Sequence, residues 1–114
     1  MNDNYRAQSV LKKDEVLKLL AEHLRDSKST TIDSMRSFVE NYLKEKGVIG
    51  EITEGNSMMR TTYNRRISDG DALLINECIY DLLYSRTITP GMNASNLELP
   101  FVHLSNEDKL NDYL

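Results

Sequence analysis

Leu82-Leu83-Tyr84-Ser85-Arg86-Thr87-Ile88-Thr89-Pro90-Gly91, answered further on by Leu99-Pro100-Phe101-Val102-His103-Leu104-Ser105, is the stretch on which the fold turns. Up to about Ser85 apolar residues recur at helical spacing; from Arg86 onward they alternate. Arg86-Thr87-Ile88-Thr89 is β-branched and strand-like, and Pro90-Gly91 is a turn pair, proline presetting φ and glycine accepting a positive one. Met92 to Glu98 is a polar loop. Leu99 to Leu104 is the returning strand, and Pro100, which has no amide proton to give a neighbour, makes it an edge strand or marks its first residue. The segment predicts a β-hairpin, Thr87 to Thr89 against Leu99 to Leu104, hung from the end of a helix.

That helix opens at Ser68, with Asp71 in a capping-box position, and buries Ala72, Ile75, Cys78, Ile79, Leu82 and Leu83. Asp69, Asp71, Glu77, Asp81 and Ser85 fall on its exposed side. Two more helices precede it. The first runs from about Lys12, with Val16, Leu17, Leu20, Ala21 and Leu24 at three- and four-residue spacing, and is broken by Ser27 to Thr30. The second is capped by Thr30, carries Asp33 where the helix dipole favours negative charge, and buries Ile32, Met35, Phe38, Val39, Tyr42 and Leu43; Gly47 suits a left-handed end. Between them and the third helix, Val48 to Ile67 is less regular. Ile49 and Ile52 allow a short strand, and Ser57 to Arg66 allows a short helix capped by Asn56 or Ser57. After the hairpin, Ser105 caps a short terminal helix with Leu110, Tyr113 and Leu114 on its apolar side. Leu20, Leu24, Phe38, Tyr42, Ile75, Ile79, Leu82 and Phe101 are expected to share one core.

Helix, polar break, helix, loop, helix, hairpin and short helix is the order of a winged helix. The segment from Leu82 to Ser105 resembles the helix-to-wing part of prokaryotic winged-helix (winged helix-turn-helix) domains, where a short strand leads to a Pro-Gly turn and an apolar strand closes onto a Ser/Thr-capped helix. Where that family pattern often places a glycine shortly after the cap, this chain has Asp108. The expected fold is therefore mainly α with a small β-hairpin: three main helices, a two-stranded wing and a short C-terminal helix. Residues 1–9 form a polar N-terminal arm and residues 10–114 a single domain.

Composition narrows the class. At 114 residues the chain holds one core, and 39% apolar with 28% charged residues is ordinary for a globular protein. No apolar run nears the roughly 20 residues of a membrane span, and the start of the chain lacks the apolar stretch of a signal peptide, so a cytoplasmic location without membrane contact is expected. The single cysteine allows no disulfide within the chain. Catalysis lacks an inventory. Cys78 sits on an apolar stripe, His23 and His103 have no Cys or His at ligand spacing, and Glu22, His23 and Asp26 are a solvated helix face before they are a metal site. Gly47, Gly50 and Gly55 precede no Lys-Ser/Thr, so no phosphate loop is present. No cofactor and no enzymatic activity are expected.

One constellation suggests binding. Arg60, Thr61, Tyr63, Asn64, Arg65 and Arg66 combine arginines that fork onto phosphate or guanine, an asparagine that suits adenine, and hydroxyls for the backbone. The wing would add Thr87, Thr89, Asn93 and Asn96. As a helix, Ser57 to Arg66 would set Arg60 and Asn64 one turn apart. Net charge of −4 and a third helix rich in carboxylates point the other way. Two functions follow: a double-stranded DNA-binding module, such as a small bacterial or phage transcriptional regulator acting as a dimer, or a protein-interaction adaptor subunit of a larger assembly that uses Tyr80, Asp81 and Tyr84. The resemblance puts DNA first, since most domains of this order bind it.

Overall fold

The computed structural model describes residues 6–114. Its order is α1 (Lys13–Asp26), β1 (Ser29–Thr31), α2 (Ile32–Glu45), β2 (Gly50–Gly55), β3 (Arg60–Arg65), α3 (Asp69–Tyr84), β4 (Ile88–Pro90), β5 (Phe101–Leu104) and α4 (Glu107–Asn111). The three main helices stand where their apolar spacing places them. The strand content is larger than one hairpin: five strands form a three-stranded sheet ordered β1-β5-β4 and a separate β2-β3 pair. The chain is thus mixed α/β.

The hairpin forms, but one residue later than expected: its first strand is Ile88–Pro90, with Thr87 left out and Pro90 drawn in from the turn, and Ile88 lies opposite Leu104, Thr89 opposite His103 and Pro90 opposite Val102. Its second strand is not an edge. β1 pairs with the other side of β5, Thr30 facing Val102, so β5 is the central strand and Pro100 lies just before it. The break between α1 and α2 hid this strand because three residues, Ser29-Thr30-Thr31, carry no legible period. Thr30 is consequently buried within the sheet, and the cap of α2 passes to Thr31, whose hydroxyl accepts from the Ser34 amide at 3.1 Å. At the far end of the sheet Ser105 does not cap α4. Its hydroxyl instead donates to the Arg86 carbonyl at 2.9 Å, and Asn106 takes the cap.

Val16, Leu20, Leu24, Met35, Val39, Ile75, Ile79, Leu82, Ile88 and Val102 fill the core between the three helices and the small sheet. Phe38, Tyr42 and Phe101, expected there, are only half-buried. Phe38 lies against the His23 ring with centroids 5.0 Å apart, and the Tyr42 hydroxyl reaches out to Glu15 at 2.9 Å. Ala72 and Asp71 exchange the roles expected of them: Ala72 is exposed and Asp71 is 1% exposed.

Asp71 explains the start of the chain. Its carboxylate accepts the amides of Val10 (3.2 and 3.1 Å) and Leu11 (3.1 Å), while Ser9 meets the α3 cap residue Ser68 hydroxyl to hydroxyl at 2.8 Å. Arg6 reaches Asp69 at 2.6 Å, and the Ala7 amide donates to the Arg66 carbonyl at 2.8 Å. Arg6 to Ser9, part of the polar arm expected at residues 1–9, are therefore bound along the start of α3; the remainder of that arm, residues 1–5, lies outside the described residues. Ala7 closes a second small apolar cluster with Leu43 and Ile49 at the root of β2.

The β2-β3 pair then projects from this root. The molecule measures 57 × 30 × 27 Å, and its radius of gyration, 16.6 Å, exceeds the roughly 13 Å of a compact chain of this length. Among the described residues no helix is long and apolar enough to cross a membrane.

Candidate nucleic-acid interface

Ser57 to Arg66 is not a helix. Thr61, Thr62 and Tyr63 prefer the pleated backbone, and each finds a partner across the ladder: Thr61 opposite Glu54, Thr62 opposite Thr53, Tyr63 opposite Ile52. The turn between the strands is built from Gly55 to Met59. Gly55 has φ 116°, and a Cβ there would stand 1.9 Å from the Met59 carbonyl oxygen, so only glycine fits. Asn56 Oδ1 accepts the amides of Met58 and Met59 at 2.9 and 3.0 Å, closing the tip. Both methionine side chains are left outside, at 90% and 78% exposure. The sequence signal that foretells this is Gly55-Asn56 between two threonine-bearing alternating runs.

Alternation divides the basic cluster. Arg60, Thr62, Asn64 and, by continuation, Arg66 lie on one face of β3; Thr61, Tyr63 and Arg65 lie on the other. The inner group is occupied with itself. The Tyr63 hydroxyl donates to Glu54 at 2.9 Å and accepts from Arg65 Nη2 at 2.6 Å, while the Arg65 guanidinium lies 5.6 Å from the Tyr63 ring centre and 3.4 Å from Glu54. This face, with Arg6, Gln8 and Val10, borders an open cleft of about 940 Å³.

The outer face is different. Arg60, Thr62, Asn64 and Arg66 are all exposed, as are Glu51 and Thr53 opposite them, and the Thr53 and Thr62 hydroxyls meet at 3.1 Å. Neither Arg60 nor Arg66 makes an ion pair among the described residues, and Glu51 is the single acid on that face.

The remaining candidate residues disperse. Thr87 is fully buried, bonded to the Ser85 hydroxyl at 2.8 Å, so it presents nothing to a ligand. Thr89 is half-buried and meets the Ser105 hydroxyl at 2.8 Å. Asn93 and Asn96 close the loop between β4 and β5 on each other, Asn93 Oδ1 accepting from the Ser95 amide and from Asn96 Nδ2 at 3.0 and 3.2 Å. On α3, Tyr80 and Tyr84 stand outward with ring centres 6.3 Å apart, joined by an exposed Leu73 that the sequence pattern did not single out. Asp81 holds Lys13 at 2.9 Å, and this pairing raises the lysine's pKa. The last turn of α3 carries no basic residue.

The groups weighed for chemistry are engaged structurally. His23 Nε2 and the Thr30 hydroxyl are 3.0 Å apart, and burial lowers the histidine's pKa. His103 Nδ1 lies 2.8 Å from the Gly91 carbonyl. Among the described residues no three His, Cys, Asp or Glu gather as a metal site would require. Burial pushes the Cys78 thiol up to about 11. Two units above its ordinary 9.0, it holds about a hundredfold less thiolate near neutral pH, so a disulfide reagent at pH 8 is expected to modify the folded chain at least about a hundredfold slower than the urea-unfolded chain. Equal rates would contradict the burial of this residue.

Comparison with family models, with curated proteins and with solved structures finds no match for this chain.

Proposed function

We propose that the chain is a winged-helix-type DNA-binding module that engages duplex DNA through the outer face of the β2-β3 hairpin. The observation that carries this reading is the file Arg60-Thr62-Asn64-Arg66, exposed on one face of a projecting ribbon with both arginines unpaired among the described residues. A two-stranded ribbon fits the major groove, about 12 Å wide, and arginine and asparagine are the side chains that fork onto guanine and adenine there. Six residues of strand reach about 20 Å, enough to follow several base pairs. The exposed Met58 and Met59 at the tip are of the apolar kind that wedges against base steps. The strand order β1-β5-β4 around α1, α2 and α3 supports the winged-helix part of the proposal, with the β2-β3 hairpin as an insertion between the second and third helices. In this reading α3 is not the reading helix, since its outward face offers Leu73, Glu77, Tyr80 and Tyr84 and no cation.

If Arg60 and Arg66 contact phosphates, neutralising both as Arg60→Gln/Arg66→Gln weakens binding to all duplexes and lowers the slope of log K against log salt by about two. If one reads a base, its loss costs roughly 1–3 kcal/mol at one position of the site. Arg65→Gln, on the inner face, leaves the slope within about half a unit of the parent. A double variant with the parent's slope would remove the hairpin from the interface.

The exposed tyrosines favour a second reading, a protein-interaction adaptor in which Tyr80, Asp81 and Tyr84 meet the partner. It predicts no duplex binding by the parent at low salt and loss of the partner when Tyr80 or Tyr84 is changed.

A further inference from the structure

We infer that the outer face of the β2-β3 hairpin reads base edges in a fixed order: from the tip inward a guanine, a thymine, an adenine with a cytosine beside it, and a second guanine. The inference rests on the reading of this hairpin as the DNA-binding element and goes beyond it by naming the sequence class that the face selects. Its side chains stand in ranks. Thr62 lies opposite Thr53 and Asn64 opposite Glu51, with Arg60 on the tip side of them and Arg66 on the root side. Opposite side chains are about 5 Å apart, and successive ones along a strand about 6.8 Å, close to two base-pair rises of about 3.4 Å. From Arg60 to Arg66 the file spans about 20 Å, or about seven base pairs.

Each rank has its own chemistry. Arg60 and Arg66, in no ion pair among the described residues, hold guanidinium forks that match guanine O6 and N7. The Thr53 and Thr62 hydroxyls meet at 3.1 Å, so their rank offers chiefly two methyl groups, which suit the thymine C5-methyl. Asn64 carries a donor and an acceptor side by side, as adenine N7 and N6 require.

Glu51 separates base reading from backbone binding. It is exposed and makes no ion pair among the described residues. In a face that met phosphates alone, a carboxylate between the two arginines would only repel. On the groove floor it has a partner, the cytosine N4 amino group. About 5 Å across from Asn64, it falls on a base pair beside that of the adenine.

Selection by the full chain from a pool of random duplexes, at about 150 mM salt to suppress non-specific binding, tests the order. The expected result is an enriched block of about seven base pairs, G·C at both ends, A·T between, and one G·C pair beside the inner A·T. Replacing any one of these pairs weakens binding by about five- to a hundredfold. Asn64→Arg, with an unchanged circular dichroism spectrum, moves the preference at the inner A·T position to G·C and leaves the others as they were. Glu51→Gln loses the preference at the neighbouring G·C pair alone. A chain that binds duplexes but enriches no block overturns the inference, as does a block indifferent to Asn64→Arg. So does Glu51→Gln tightening every duplex equally. Each of these leaves the hairpin as a sequence-independent binder, whereas a parent that binds no duplex at low salt overturns the proposed function as well.

Discussion

Leu82→Ala is expected to lower the unfolding free energy by roughly 2–5 kcal/mol, the cost of removing a large buried side chain and leaving part of its cavity unfilled. Leu82 is fully buried where α3 meets the other helices and the small sheet. Domains of this size have only about 5–15 kcal/mol to lose, and at roughly 4 °C per kcal/mol the midpoint of thermal unfolding should fall by about 8–20 °C. Phe38→Ala should cost visibly less, because Phe38 is half-buried and faces His23 more than the core. A melt of Leu82→Ala within a few degrees of the parent, followed by circular dichroism, would show that α3 does not pack as described.

The second large effect is expected at Asp71. Its buried carboxylate is the acceptor for two backbone amides from a segment some sixty residues earlier in the chain, at 3.1–3.2 Å. Asp71→Ala leaves the half-buried Leu11 amide without its acceptor, at about 1–3 kcal/mol, while the amide of the exposed Val10 can turn to water, so a loss on the order of 2 kcal/mol is expected. Asp71→Asn helps only in part, since its amide group would turn one donor toward another. The loss should be local in character. Hydrogen exchange at Val10 and Leu11 should rise more than exchange in the middle of α1, because Ala7 and the second apolar cluster depend on this attachment. Unchanged exchange at those two amides in Asp71→Ala would contradict the attachment.

Asp71 also shows where sequence reading stops. Its place three residues after Ser68 is a local signal, and half of it is realised: the Ser68 hydroxyl accepts the Asp71 amide at 3.0 Å. The other half, a carboxylate turned to Val10 and Leu11, is a contact across the chain that no local pattern encodes. The three helices were legible because each repeats its period for long enough to fix a face, and the β4-β5 hairpin because a β-branched run meets the Pro90-Gly91 pair where the helical spacing stops. β1 was not, because three residues cannot show a period and its pairing with β5 is made at long range. β3 was missed for another reason. Arg60 and Asn64 share a face at a spacing of four on a helix and on a strand alike, so the spacing that suggested a site could not choose between them. The threonines and the Gly55-Asn56 turn decided in favour of the strand, and with it Arg60 and Arg66 were parted from Arg65. The aromatic stripe on α3 was half-visible: Tyr80 and Tyr84 were evident as exposed residues, whereas Leu73 was read with neither face.

The central claim is that the outer face of the β2-β3 hairpin meets DNA, and an NMR titration of the parent chain with a random-sequence duplex tests it most directly. At about 50 mM salt, where non-specific binding is strong, the amide shifts of Arg60, Thr62, Asn64 and Arg66 should move first and furthest, and should return as salt is raised to about 200 mM. Spectra unchanged by excess duplex at low salt, or shifts confined to Leu73, Tyr80 and Tyr84 on α3, would contradict it.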